Sequence, residues 1–339
     1  MRRPRTLVLA AALATALATT TLVGLAAPGA ASTTAPARSS AVHAAATSTV
    51  HKPVVRKKRP RPVVHKPRRK AVRRTKVIMP LRSAAGLPRG TATAKITYHG
   101  GKVMTGTVHL YVVWYGAWAN KPAVPLLTDL LRGFAFSPYA GTNATYTDRK
   151  KHAASTDVQY ASSTTDAYSK GVTLTDATVR AVVVNAIHTR ALPSDSNGIY
   201  LVLTSADVRE SSGFGSRYCG WHSRTTFLRK PVRFVFAGDP STQAARGCEP
   251  PVASTPNGDR GADAMASTIV HEIDETLTDP DISAWYDRWG SENADKCAWT
   301  YGFTYVAGNG STANVRLGGH DFLVQQNWVA RAKQGCALS

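Results

Sequence analysis

The sequence predicts a mixed α/β fold carried by a single domain, and three observations predict it. Short β-branched or apolar runs alternate with segments of helical period, in the order strand, helix, strand, helix, strand, strand, helix. Hairpin signals at Asn309-Gly310 and Gly318-Gly319 follow the last helix. The first quarter, in contrast, has a composition that cannot build a core, so the 339 residues hold one folded domain of about 240 residues rather than two.

Met1 to Arg5 form a basic start, Thr6 to Ala27 an apolar run, and the small residues Gly29, Ala30 and Ala31 follow. Residues 1–31 therefore read as a secretory signal cleaved near Ala31. An uncleaved anchor is the alternative, because the run approaches the ~20 residues that a bilayer requires. Residues 32–94 are expected to be a disordered linker, first rich in Ala, Ser and Thr, then basic and Pro-rich. Residues 1–76 hold 17 of the 42 Lys and Arg, and no Asp or Glu precedes Asp129. The formal charge of +21 is thus mostly a property of the tail. Residues 51–76 carry 13 of those cations and are suited to polyanions. Behind a signal peptide these are anionic cell-wall polymer, lipid headgroups or acidic polysaccharide rather than nucleic acid. A solvated spacer without a partner is the plainer reading.

The folded domain is placed at 95–339. Thr107 to Tyr115 alternates and is rich in β-branched and aromatic residues, a strand. Leu126, Leu127, Leu130, Leu131 and Phe134 recur at helical spacing after Pro122. Residues 141–170 are polar and loop-rich. Thr175 caps a helix through Val179, Val182, Val183, Ala186 and Ile187 that Pro193 ends. Ile199 to Thr204 and Val232 to Ala237 are strands, and a helix from Asp263 to Pro280 follows. At 100° steps Met265, Ala266, Ile269, Val270, Ile273 and Leu277 form its apolar stripe, with His271 and Glu275 opposite. Zinc endopeptidases of the zincin type share this order, an analogy at the level of fold.

The chemistry concentrates in His271-Glu272-Ile273-Asp274-Glu275 and the later Glu292 and Asp295. His271 and Glu275 lie one helical turn apart, the spacing at which two side chains can hold one ion. In H-E-x-x-H metalloproteases two histidines bind zinc and the intervening Glu is general base; here the second His is a Glu, whose oxygen is an acceptable zinc ligand. The expected site is therefore zinc on His271, Glu275 and Glu292 or Asp295, with Glu272 taking the proton of a bound water. Charged residues at this spacing are also ordinary on a solvated helix face. His99 and His222 are candidate outlying ligands. Asn257-Gly258-Asp259 with Asp263 offers oxygen donors for calcium, although a turn into a helix cap explains it more simply. His222 with Ser223, Ser211 or Ser212 lacks a nucleophile elbow and is set aside as a triad. Trp285, Tyr286, Trp289 and Trp299 cluster in sequence near the site as a possible ligand surface for sugar rings.

Several separated stretches together resemble the phosphate-induced protein family, known through the plant EXORDIUM and EXORDIUM-like proteins. Tyr98-His99-Gly100-Gly101, Thr105-Gly106 and Trp114-Tyr115-Gly116-Ala117-Trp118 are similar to its opening. Tyr168-Ser169-Lys170-Gly171, Leu203 to Val208, and Cys219-Gly220-Trp221-His222 are similar to its middle. Pro256 to Met265, His271-Glu272, Glu275, Asp279-Pro280, Ala284-Trp285-Tyr286, Glu292 with Cys297, and Phe322 to Gln325 with Trp328 and Cys336 complete the likeness. The resemblance implies a secreted or cell-wall protein and names no reaction. The four cysteines fit export and allow three pairings. Gly215 and Ala244 stand where family members tend to carry cysteine. Nearness in sequence and that pattern imply Cys219 with Cys248 and Cys297 with Cys336.

Overall fold

Six strands and three helices place the candidate site. The computed structural model describes residues 74–82, 94–242 and 246–339. The proposed signal and most of the basic linker lie outside them. The strands are β1 (Lys76–Pro80), β2 (Val108–Tyr115), β3 (Val158–Asp166), β4 (Gly198–Thr204), β5 (Tyr218–Phe227) and β6 (Lys230–Gly238). They form one sheet in the order β1-β5-β6-β4-β2-β3. β2 runs parallel to β3 and β4, and β4 to β6, while β5 is antiparallel to β6 and β1 antiparallel to β5. The sheet is therefore mixed, as the sequence predicts.

Its parallel centre explains the continuous apolar run of β4, in which all seven residues are buried. Central parallel strands are covered on both faces, so alternation gives way to uniform hydrophobicity. One face packs against α1 (Ala123–Phe134) and α3 (Arg260–Thr278), through Leu110, Val112, Leu201, Val235 and the stripe of Met265, Ile269 and Ile273. The opposite face, with Tyr111, Val113, Tyr200, Val202 and Phe234, packs against α2 (Asp176–His188) through Val179, Val182 and Val183. α2 begins at Thr175, whose hydroxyl accepts the Thr178 N–H in a reciprocal capping box.

Two strands lie where the sequence reading placed none, β1 and β5, the latter with Cys219-Gly220 near its start and a polar Ser223 to Thr226 end that give no apolar run. The strand expected between the first two helices lies in residues 141–170, read as loop-rich: it is β3, an edge strand in which exposed and half-buried residues alternate from Gln159 onward. Its Ser and Thr rows supply β-branching and backbone pairing without the apolar pattern that marks a buried strand. Lys76–Pro80, assigned to the linker, forms β1 on the other edge, with Val77 and Met79 buried. The basic residues around it mask a short alternating segment.

After α3 the chain builds the two expected hairpins and a third beyond them. Tyr305–Val306 pairs with Thr312–Ala313, Val315–Leu317 with His320–Phe322, and Asn327–Val329 with Gly335–Ala337. Gly318 turns the second at φ +57°, and a Cβ there would lie 1.8 Å from the Asp129 carbonyl oxygen. Only glycine lets this turn press onto α1. Both implied disulfides are formed, Cys219–Cys248 and Cys297–Cys336. Among the described residues no helix is long and apolar enough to cross a membrane.

Candidate metal centre

α3 starts one turn earlier than the sequence suggested. Asp259 is its cap and accepts the Ala262 N–H at 3.0 Å. Asp263 instead sits inside the first turn, where its carboxylate accepts the backbone and side-chain N–H groups of Asn257 at 3.0 and 2.6 Å. The Asn257 to Asp263 oxygens are thus a turn and a helix cap rather than a calcium loop.

Every residue of α3 from Gly261 to Thr278 is buried. The apolar stripe meets the sheet, and the polar face lies in the interior too: His271 and Glu275 are both 0% exposed. The solvated-face reading is thereby overturned. Ionisable groups are buried only when paired or coordinated, so this face requires partners.

The partners come from two directions. The segment after α3 returns Glu292, also 0% exposed, and Asp295, just before Cys297 and its disulfide to Cys336. From the sheet, β5 contributes His222, which faces α3 because Gly220 allows close approach. A Cβ at Gly220 would stand 2.5 Å from Thr268 Cγ2 and 3.2 Å from Glu272 Oε1.

The resulting cluster joins His222, His271, Glu272, Glu275, Glu292 and Asp295. His271 Nε2 is 3.1 Å from Glu275 Oε1 and 3.6 Å from Asp295 Oδ1. His222 Nδ1 is 3.4 Å from both Glu275 Oε2 and Glu272 Oε2, and its Nε2 is 3.8 Å from Glu292 Oε2. Two sets of donor atoms, His271 with Glu275 and Asp295, and His222 with Glu275 and Glu292, each lie within 4.8 Å of one another. His271 Nε2, His222 Nε2, Glu275 Oε2, Asp295 Oδ1 and both Glu292 carboxylate oxygens are buried without a hydrogen-bond partner. Unsatisfied buried polar atoms each cost about 1–3 kcal/mol or more when charged, and a group of them converging on one place fits a cation in its nitrogen and oxygen donor set.

Charges packed this closely move one another's protonation. Burial raises the Glu275 carboxyl, but His271 and His222 overcome it and hold it down at about 2. Burial works against the His222 imidazolium, while Glu272 and Glu275 lift it to about 9. His271 moves upward for the same reason, Glu275 and Asp295 outweighing burial. Burial pushes Glu272 up to about 7 and, with the Glu275 charge, Asp295 up to about 6. Glu292 is raised by burial and by the carboxylates of Asp279, Glu275 and Asp295.

Glu272, the expected base, has its Oε1 fixed by the Met79 N–H of β1 at 3.2 Å. The remaining sequence candidates disperse. His99 stacks on Tyr286 with ring centroids 3.7 Å apart and takes no part in the cluster. Trp285 packs against Tyr98 and Tyr146 and donates to the Thr147 carbonyl. Trp299 donates to the Pro80 carbonyl at 3.0 Å. Trp289 alone of the four is open, at 52% exposure, with the Arg288 guanidinium 3.9 Å above its ring. Ser223 donates to the Thr75 carbonyl and Ser212 to Asp176.

Sequence reasoning gave no role to Asp274. It is fully buried, and it accepts Asn143 Nδ2 at 2.5 Å and Asn327 Nδ2 at 3.0 Å. These partners lie 131 and 53 residues away, so no local spacing announces the network.

Residues 96–320 match the family described as Phosphate-induced protein 1 conserved region. The chain belongs to the phosphate-induced protein family. Two Arabidopsis thaliana members are similar to it: Protein EXORDIUM-like 5, 31% identical over 70% of this chain and 76% of the relative, and Protein EXORDIUM-like 3, 28% identical over 67% and 74%. No solved structure matches. All six residues of the cluster fall inside the family region, whereas β1 precedes it.

Proposed function

We propose that this phosphate-induced family member is an exported, zinc-dependent hydrolase, by analogy a peptidase, with zinc held by His271, Glu275 and Glu292 or Asp295, and with His222 available as a further ligand. One observation carries the reading: imidazole nitrogens and carboxylate oxygens without hydrogen-bond partners converge on Glu275 in a site where Asp295, at 11%, is the one partly exposed ligand. Zinc bound by such nitrogen and oxygen donors supplies Lewis acidity and an acidified water. Glu272 is placed for proton transfer. It adjoins His271 in sequence, its Oε2 lies 3.4 Å from His222 Nδ1, and burial brings its carboxyl to about 7, so it can take up and return a proton near neutrality. The Met79 N–H holds the other oxygen and fixes the carboxylate plane. Two disulfides support an oxidising, extracellular setting.

The test is a zinc determination on the purified full-length chain, followed by hydrolysis of a fluorogenic peptide library. Zinc that is retained through dialysis, lost in His271→Ala, and active in wild type but not in Glu272→Gln supports the reading. A folded wild-type chain that cannot be loaded with zinc overturns it.

The near-complete burial of the cluster, with Asp295 at 11% exposure, favours a second reading, in which a bound ion braces α3 against the segment after it and meets no substrate. The chain is then a non-catalytic wall module, retained on anionic polymer through residues 51–76 and presenting Trp289. Zinc that binds without any hydrolysis removed by Glu272→Gln selects this alternative.

A further inference from the structure

We infer that the cluster is a two-cation centre in which the Glu275 carboxylate is the bridge; the inference rests on the metal reading above. The donors divide into two sets whose shared member is Glu275. Its two oxygens diverge: Oε1 is 3.1 Å from His271 Nε2, and Oε2 is 3.4 Å from His222 Nδ1. Each imidazole also lies near a carboxylate of its own: Asp295 Oδ1 is 3.6 Å from the same His271 Nε2, and Glu292 Oε2 is 3.8 Å from the other nitrogen of His222, Nε2. This arrangement, an imidazole and a second carboxylate on each side of one central carboxylate, is what two neighbouring ions sharing that carboxylate require.

Satisfaction of the buried atoms leads to the same conclusion. An ion between His271, Glu275 Oε1 and Asp295 leaves Glu275 Oε2, His222 Nε2 and both oxygens of Glu292 without partners. Glu292 is 0% exposed and neither of its oxygens accepts a hydrogen bond, so a single ion leaves a bare carboxylate in the interior. Charge gives the third argument. With neutral imidazoles as ligands, the carboxylates of the two donor sets, Glu275, Glu292 and Asp295, bring three negative charges when metal-bound. That is more than one divalent ion balances. Paired ions on a bridging carboxylate are suited to hydrolytic displacement, because one can hold the attacking oxygen while the other holds the oxygen that leaves or accumulates charge.

Stoichiometry tests this without reference to activity. The full-length chain is stripped with chelator and titrated with Co²⁺, and bound metal is counted by mass spectrometry after dialysis against zinc. Wild type is expected to hold about two equivalents. His222→Ala and Glu292→Gln are each expected to lose one, Asp295→Asn to lose the other, and Glu275→Ala to lose both. Circular dichroism and intact disulfides verify that each variant is folded; if any is not, the wild-type Co²⁺ titration still decides, with saturation at two equivalents and magnetic coupling between the ions. Saturation at one equivalent in the wild type overturns the bridge and leaves the single-zinc reading standing. A wild-type chain that binds none overturns both.

Discussion

His271 and Glu275 meet one helical turn apart in the protein interior, with Nε2 of the imidazole 3.1 Å from Oε1 of the carboxylate and neither side chain exposed. Without metal, this contact and the matching one to His222 are ion pairs. Breaking a buried pair from one side costs about 3–5 kcal/mol. Glu275→Gln in the chelated chain is therefore expected to lower unfolding stability by about that amount at pH 6. His222 has a folded pKa of about 9, above its ordinary 6.5, so its contribution is complete below 6.5 and is lost as pH rises through 9. The penalty of Glu275→Gln should accordingly shrink between pH 6 and pH 10 in urea titrations. An equal penalty at both ends would show that the imidazoles are not charged partners.

Asp274 predicts a second pH effect. Burial pushes its carboxyl up to about 8, against the pull of Asn143 and His271. A folded pKa above the unfolded one means that the native state binds the extra proton, so stability falls as pH rises from about 4 to about 8, by up to ~1.4 kcal/mol per pH unit. Asp274→Asn, which cannot ionise, should flatten that part of the curve. An unchanged difference in urea midpoint between pH 5 and pH 8 would contradict the assignment.

β1 ties the edge of the sheet to the cluster. The Met79 N–H reaches Glu272, Trp299 holds the Pro80 carbonyl, and Lys76 pairs with Asp176 at 2.8 Å. Met79→Pro deletes the first of these and leaves a buried carboxylate oxygen short of a donor, at a cost of about 1–3 kcal/mol. Amide exchange in Tyr218–Phe227 should accelerate, while β4 at the sheet centre stays protected. Uniform protection throughout would mean that β1 does not secure this edge.

The basic arm gives a prediction independent of the centre. Deleting residues 51–73 should abolish salt-sensitive retention on teichoic-acid or polygalacturonate columns, because the interaction is a screened one between a polycation and a polyanion. Retention that survives the deletion assigns the affinity to the folded domain.

The helix and its acids were legible because their chemistry is local. A turn of α3 sets His271 against Glu275 by spacing alone, and Glu292 and Asp295 lie only a short excursion away, ahead of a cysteine. Gly318-Gly319 announces its hairpin for a similar reason. His222 was visible only as an outlying histidine: it lies in β5, 49 residues before His271, and reaches the site through sheet pairing and the missing side chain of Gly220. Asp274 escaped because amides from three distant segments, Asn143, Asn293 and Asn327, make its environment. β1 escaped because an edge strand needs little hydrophobic pattern and this one is flanked by cations, and β5 because Cys219-Gly220 and Ser223 to Thr226 interrupt its apolar residues. β3 was expected between the first two helices but had no bounds, because Ser and Thr build it. The four aromatic residues cluster in sequence, but each finds its own neighbours in the fold.

Crystals of the full-length chain soaked in zinc, with diffraction recorded above and below the zinc edge, test the centre most directly. Anomalous peaks are expected on both sides of the Glu275 carboxylate, one against His271 and Asp295 and one against His222 and Glu292. Well-ordered side chains with no anomalous signal among them would contradict it.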